Sequence, residues 1–126
     1  MYFQTDKADK GKLYMMRFWF DGHEKPVYKI GLTVRQPEER LMDILISYYK
    51  VYRYCPKCDI KRFREVGKLH QKETILLASL KEYNYIPEKK FSGCTEMFAG
   101  IDEYWLLSLY ERVVDNEVIG EVICCG

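Results

Sequence analysis

Residues 13–20, Leu-Tyr-Met-Met-Arg-Phe-Trp-Phe, and residues 27–34, Val-Tyr-Lys-Ile-Gly-Leu-Thr-Val, are two short aromatic and aliphatic runs. Between them lies turn chemistry, from Asp21-Gly22 to Pro26. Runs of this length and composition suit strands, and the connection turns the chain back. The pair predicts an antiparallel hairpin with a longish loop. Its register decides much else. Tyr14 and Lys29 share a face only if even residues of the first strand pair with odd residues of the second. A slip of one residue would put them on opposite sides.

A helix opens at Pro37, a residue favoured in the first helical turn. Glu38 and Glu39 match the positive end of its dipole, and Leu41, Ile44 and Leu45 supply an apolar face. Residues 46–54 predict a third strand, and residues 62–83 a long helix through Phe63, Val66, Leu69, Leu76, Leu77 and Leu80. Residues 84–100 are loop-rich and 101–114 helical; the last dozen read as strand or short helix. Residues 1–11 are expected to form a flexible arm and 12–126 a single domain. Two domains in 126 residues would each hold a marginal core of about 60 residues. The order β-β-α-β-α-α predicts an α+β domain with a small three-stranded antiparallel sheet flanked by helices.

The chain carries 20 Lys+Arg and 19 Asp+Glu, a net charge of +1. That excludes a strongly basic protein but hides an asymmetry. Residues 1–63 hold 13 basic and 8 acidic side chains, residues 64–126 hold 7 and 11. The basic excess peaks over residues 48–72, where Lys50, Arg53, Lys57, Lys61, Arg62, Arg64, Lys68 and Lys72 face only Asp59 and Glu65. Tyr48, Tyr49, Tyr52, Tyr54 and Phe63 are interleaved. Lys50, Arg53, Lys57, Lys61, Arg62 and Arg64 are the expected contacts to a phosphate backbone, with the aromatics against bases or sugars. The plainer alternative is an aromatic core beneath a solvated basic face. The first dozen residues are polar, no run approaches the ~18 apolar residues of a membrane helix, and the cysteines number five. The expectation is a protein that is not secreted, with reduced thiols, in the cytoplasm or nucleus and off the membrane.

Four polar residues stand out by position: Tyr14 in the first strand, Lys29 in the second, Arg40 early in the first helix, and Glu73 in the long helix. Around them the chain resembles the GIY-YIG nuclease superfamily. Lys12-Leu13-Tyr14 is similar to the first half of the signature, and Tyr28-Lys29-Ile30-Gly31-Leu32-Thr33 to its second half. The form is that of phages, bacteria and large DNA viruses, whose second motif reads Tyr-Lys-Ile-Gly-x-Thr. Arg40 follows Gly31 by nine residues, near the family's arginine. Glu73, in Glu-x-x-Leu-Leu-x-x-Leu, resembles its metal-binding glutamate, and Gly93 to Phe98 its Glu-x-Phe segment through Glu96. Asn84 lies at the distance at which some relatives carry an asparagine. The likeness covers roughly residues 11–100.

The resemblance implies a DNA endonuclease that hydrolyses phosphodiesters with one divalent ion, Mg²⁺ or Mn²⁺. RNA remains a possible substrate. It implies Tyr14 as general base or relay, Arg40 on the phosphate and Glu73 as metal ligand. The residue types suit those tasks. Guanidinium grips phosphate bidentately and stays charged. One carboxylate suits Mg²⁺, which keeps several waters. A phenol is a poor base at neutral pH, so a cation must lower its pKa, and Lys29 is the expected cation. One site cuts one strand, so double-strand cleavage calls for a homodimer or a second encounter, and specificity for a partner protein or loops.

Two alternatives accompany this reading. One is a catalytically inactive nucleic-acid-binding module on the same fold. The other is an interaction domain stabilised by zinc at Cys55 and Cys58, a lone C-x-x-C that lacks the second close pair of a strong zinc signal. Thiol redox chemistry and a tight turn with two reduced thiols are the remaining readings of that motif.

Overall fold

The computed structural model describes residues 10–115. The expected arm up to residue 9 and the ambiguous C-terminal segment from 116, with Cys124 and Cys125, lie outside the described residues.

The hairpin forms as β1 (Gly11–Trp19) and β2 (Val27–Thr33), joined through Gly22 at φ +84°. Tyr14 pairs with Gly31 and Met16 with Lys29, so even residues meet odd ones. Tyr14 and Lys29 therefore share a face. Helix α1 (Pro37–Tyr52) follows, with proline in its first turn and Glu38 and Glu39 at its dipole's positive end.

The next elements differ from the expectation. Residues 46–52, read as strand, complete α1, because Ile44 and Tyr48 one turn apart are both buried on it. The helix ends at Arg53 in the left-handed conformation, whose N–H donates to the Tyr49 carbonyl. The third strand is β3 (Lys57–Val66). It hides from a hydropathy reading because it is an edge strand, and its charged side chains deter further pairing. It pairs antiparallel with β1, with a bulge opposite Met15 and Met16. Its presence shortens the expected 62–83 helix to α2 (Leu69–Ser79), followed by a 3₁₀ turn at Lys81–Tyr83. A fourth strand, β4 (Met97–Phe98), lies in the segment read as loop. Two residues are too few to show a period. Helix α3 (Glu103–Asp115) ends the described chain.

The architecture is α+β, with a four-stranded antiparallel sheet in the order β3-β1-β2-β4 and three helices. Four strands thus replace the three expected. Leu13, Met15, Tyr28 and Ile30 bury one face against Leu69 and Leu76 of α2 and Leu106, Tyr110 and Val113 of α3. Tyr14, Met16, Phe18 and Val27 bury the other against Ile44 and Tyr48 of α1, with Phe91, Cys94 and Met97. A sheet covered on both faces explains why β1 reads from Leu13 as a nearly continuous apolar run, broken only by Arg17, rather than an alternating one. The Tyr110 hydroxyl donates to the Leu13 carbonyl at 2.5 Å, tying α3 to the central strand. Among the described residues no helix is long and apolar enough to cross a membrane.

Candidate active site

The site begins with the absence of a side chain. Tyr14 lies across Gly31 on the neighbouring strand, and a Cβ at Gly31 would meet the Tyr14 hydroxyl oxygen at 2.3 Å and Cζ at 2.4 Å. Glycine is therefore what lets the phenol lie flat on β2. The ring is almost wholly buried, at 1% exposure.

Lys29, one pleat along on the same face, is also 1% exposed. Its Nζ lies 3.0 Å from Oε1 of Glu96. Glu96 ends a 3₁₀ turn, Cys94–Glu96, that follows Gly93 at φ +89°. A Cβ at Gly93 would meet Ile44 Cγ1 at 2.9 Å and Lys29 Cε at 3.3 Å, so this glycine lets the loop close over the lysine. Met97, directly after Glu96, pairs with Lys29 across β4 and β2, which fixes the loop in register.

Arg40 reaches the same place from the first turns of α1, and Glu73 from α2. β4 pairs with Tyr28 and Lys29, and among the described residues no strand pairs with the Ile30–Thr33 edge of β2 beyond it. Glu73, from a helix packed on the opposite face, acts by its charge on Tyr14 and Lys29.

The groups shift one another. Burial raises the Tyr14 pKa above its ordinary 10.0; Arg40 opposes this by charge and hydrogen bonding without cancelling it, and Glu96 and Glu73 add to the rise. The cation working on the phenol is therefore Arg40, where the sequence pointed to Lys29. Burial lowers the Lys29 pKa, with Glu96 resisting. Burial pushes the Glu96 carboxyl up, but the charge and hydrogen bond of Lys29, with Thr95 and Arg40, bring it below the usual value. Glu73 is raised by burial and by Glu96, and eased by His70 and Lys29. His70 sits three residues before Glu73, on the same side of the helix.

Tyr14, Lys29, Arg40, Glu73 and Glu96 thus converge. Other candidates do not. Tyr28 faces the opposite side of the sheet, where its hydroxyl donates to Glu103 Oε1 at 2.5 Å. There it joins Arg17, which binds Asp59 through Nε at 3.0 Å and Nη2 at 2.6 Å and Glu103 through Nη1 at 2.9 Å. Asn84 is exposed, and its backbone bridges to Phe98.

The basic stretch divides. Lys61 pairs with Glu103 at 3.2 Å, Arg62 with Glu111 at 3.4 Å, and Arg64 with Glu111 at 3.1 Å and with Asp115. These three strap α3 to β3, because the opposing carboxylates come from a helix distant in sequence. Lys57 lies over the Trp19 ring, 5.5 Å from its centroid. Lys50 and Arg53 are exposed at the end of α1. Tyr48 is core, Tyr52 and Tyr54 are half-buried beside it, and only Tyr49 and Phe63 are largely open to solvent.

Cys55 and Cys58 are free thiols, the first preceding β3 and the second within it, not after the third strand as expected. Burial, Cys55 and Asp59 push the Cys58 thiol up, opposite to what a reactive thiolate needs. Among the described residues no group of three His, Cys, Asp or Glu side chains gathers as a metal site. No protein-family model, curated protein or solved structure matches the chain.

Proposed function

We propose that this protein is a GIY-YIG-like endonuclease that hydrolyses phosphodiester bonds in DNA with one divalent ion. The observation carrying the reading is the convergence of Tyr14, Lys29, Arg40, Glu73 and Glu96, from two strands, two helices and a loop, around one glycine-backed phenol.

The donor set fits a hydrated Mg²⁺ or Mn²⁺ rather than a closed protein cage. Glu96 raises the cost of ionising Glu73, and Glu96 already serves Lys29. Glu73 is left as the carboxylate for the ion, with water and substrate phosphate as the remaining ligands. Bound there, the ion would neutralise charge growing on the phosphate and favour the phenolate of Tyr14.

Arg40 holds a phosphate oxygen through its guanidinium, and its charge acts on Tyr14 in the same direction. Tyr14 rests as a phenol, since burial outweighs Arg40. Its role in this reading is to accept the attacking water's proton once substrate and ion have added their charge. Lys29 fixes Glu96 and adds positive potential behind the phosphate. Of the six expected phosphate contacts, Lys50, Arg53 and Lys57 lie outside the α3 straps and are the first assigned to the DNA backbone. Arg62 and Arg64 are more than two-fifths exposed, and their surface ion pairs are weak enough to exchange for phosphate.

Nicking of supercoiled plasmid in Mg²⁺ or Mn²⁺ tests the reading. Wild type should nick, while Glu73→Ala and Arg40→Ala should lose activity with unchanged circular dichroism. Undiminished nicking by Glu73→Ala would refute the assignment. Salt-sensitive binding without nicking would instead support the inactive module.

A further inference from the structure

On the α1 face of the sheet, away from the Tyr14–Gly31 pair, a cavity of about 500 Å³ is walled by Phe20, Tyr48, Tyr52, Tyr54 and Tyr85. We propose that this aromatic cleft binds an organic cation, specifically a fully alkylated ammonium group. The inference does not depend on the nuclease reading.

The deeper walls are a stack of rings that hold one another rigid and admit nothing between them. Tyr48 and Tyr52 lie nearly parallel, 4.4 Å apart at 19°, and Phe20 stacks on Tyr48 at 4.9 Å and 15°. Tyr54 stands at 90° to Tyr48, 5.3 Å away. With Tyr48 covered by Phe20 and Tyr52, the half-buried rings of Tyr52, Tyr54 and Tyr85 are the ones left to offer π-density to a cation in the cleft.

The hydroxyls are already engaged. Those of Tyr48 and Tyr54 lie 2.6 Å apart, and Tyr54 accepts the Asp21 N–H at 2.8 Å. The Tyr52 hydroxyl accepts the Lys89 N–H at 2.7 Å and donates to the Lys89 carbonyl at 2.9 Å. These bonds hold the walls in place before a ligand arrives and leave recognition to ring faces and charge.

The charge selects the sign. Asp21 and Glu88 line the cleft, both exposed, with His23 edge-on to Tyr85, and among the described residues neither Lys nor Arg lines it. Two carboxylates disfavour a phosphate-bearing ligand and favour a cation. The Lys89 ammonium already lies 6.0 Å from the Tyr52 ring centroid, so one of these rings is in use as a cation platform. An alkylated ammonium suits the cleft better than a primary one. It has no N–H to satisfy, and the oxygens of Tyr48, Tyr52 and Tyr54 are occupied.

The test uses the full chain and follows tyrosine ring resonances by NMR. Choline is titrated against its neutral isostere, 3,3-dimethylbutan-1-ol. Saturable shifts are expected for Tyr52 and Tyr85 with choline, with the isostere about five-fold weaker or more. Asp21→Asn combined with Glu88→Gln alters only exposed side chains, and should weaken choline several-fold while leaving the isostere unchanged. A second arm compares choline with a peptide carrying trimethyl-lysine and its unmodified version. Tighter binding of the trimethylated peptide assigns the cleft to a modified side chain, whereas equal binding assigns it to a free ammonium compound. Equal affinity for choline and its isostere, or no saturable shift with choline or the trimethylated peptide, would overturn the proposal.

Discussion

Gly31→Ala is the substitution whose outcome the structure constrains most closely. In the middle of a strand, replacing glycine with alanine ordinarily stabilises by about 0.5–1 kcal/mol, because glycine loses more freedom on folding. Here the new methyl would stand 2.3 Å from the Tyr14 hydroxyl oxygen and 2.4 Å from Cζ. Ordinary contact needs ~3.5 Å, so the ring or the strand must move by roughly 1 Å. Neither has room, since Tyr14 is 1% exposed and β2 is paired to β1 along its length. Overpacking of this kind costs about 1–3 kcal/mol, enough to reverse the usual sign. In a domain of this size that lowers the melting temperature by about 3–6 °C per kcal/mol. Urea unfolding of wild type, Gly31→Ala, Tyr14→Leu and the double variant forms the decisive cycle. With the ring removed, alanine should regain its ordinary stabilising effect, giving a coupling above about 1.5 kcal/mol. An equal cost of Gly31→Ala in both backgrounds would refute the argument. If the nuclease reading holds, the displaced phenol should also cost on the order of 10²-fold in nicking rate.

The Lys29–Glu96 pair gives a second outcome: Glu96→Gln strands a buried ammonium and should cost about 1–2 kcal/mol in urea unfolding, less than a fully buried pair because Glu96 is partly hydrated. Lys29→Met in the Glu96→Gln background should recover most of it. Because the folded Lys29 pKa is depressed, the unfolded chain binds more protons, so wild type gains stability from this group as pH rises toward 10.5. That upslope should vanish in Lys29→Met, read as a difference from wild type because the raised pKa values of Tyr14 and Tyr110 act oppositely above pH 10. On the other face, the Tyr28 hydrogen bond, against a burial penalty and with help from Arg17 and Lys61, lowers the Glu103 carboxyl from 4.5 to about 2. A depressed carboxylate stabilises above its unfolded pKa, so this contribution, on the order of 1–2 kcal/mol after screening, should fade from pH 4.5 toward 2. Glu103→Gln should flatten that window in acid unfolding, and an unchanged acid limb would contradict it.

Local chemistry in the sequence was enough for the hairpin, the start of α1 at Pro37 and the α+β class. A turn between two short apolar runs, a proline ahead of two glutamates, and aliphatic residues at helical spacing each act within a few residues. The same range is where the reading failed. β3 is built of alternating charges because it lies at a sheet edge and faces the carboxylates of α3, neither of which is visible from residues 57–66 alone. Residues 46–52 carry strand-like tyrosines, yet they are helical because a sheet face awaits Ile44 and Tyr48. The basic stretch looked continuous along the chain, and folding divided it between ion-pair straps and an exposed remainder. The positions of Tyr14, Lys29, Arg40 and Glu73 were legible as residues, but their meeting was not. That required the even-to-odd register, the glycine beneath the phenol, and the packing of the helices that carry Arg40 and Glu73. It also brought in Glu96, which only the turn after Gly93 places on Lys29. Propensity acts over a turn of chain, whereas burial, charge pairing and pKa depend on partners tens of residues away. Those partners exist only once the sheet has closed.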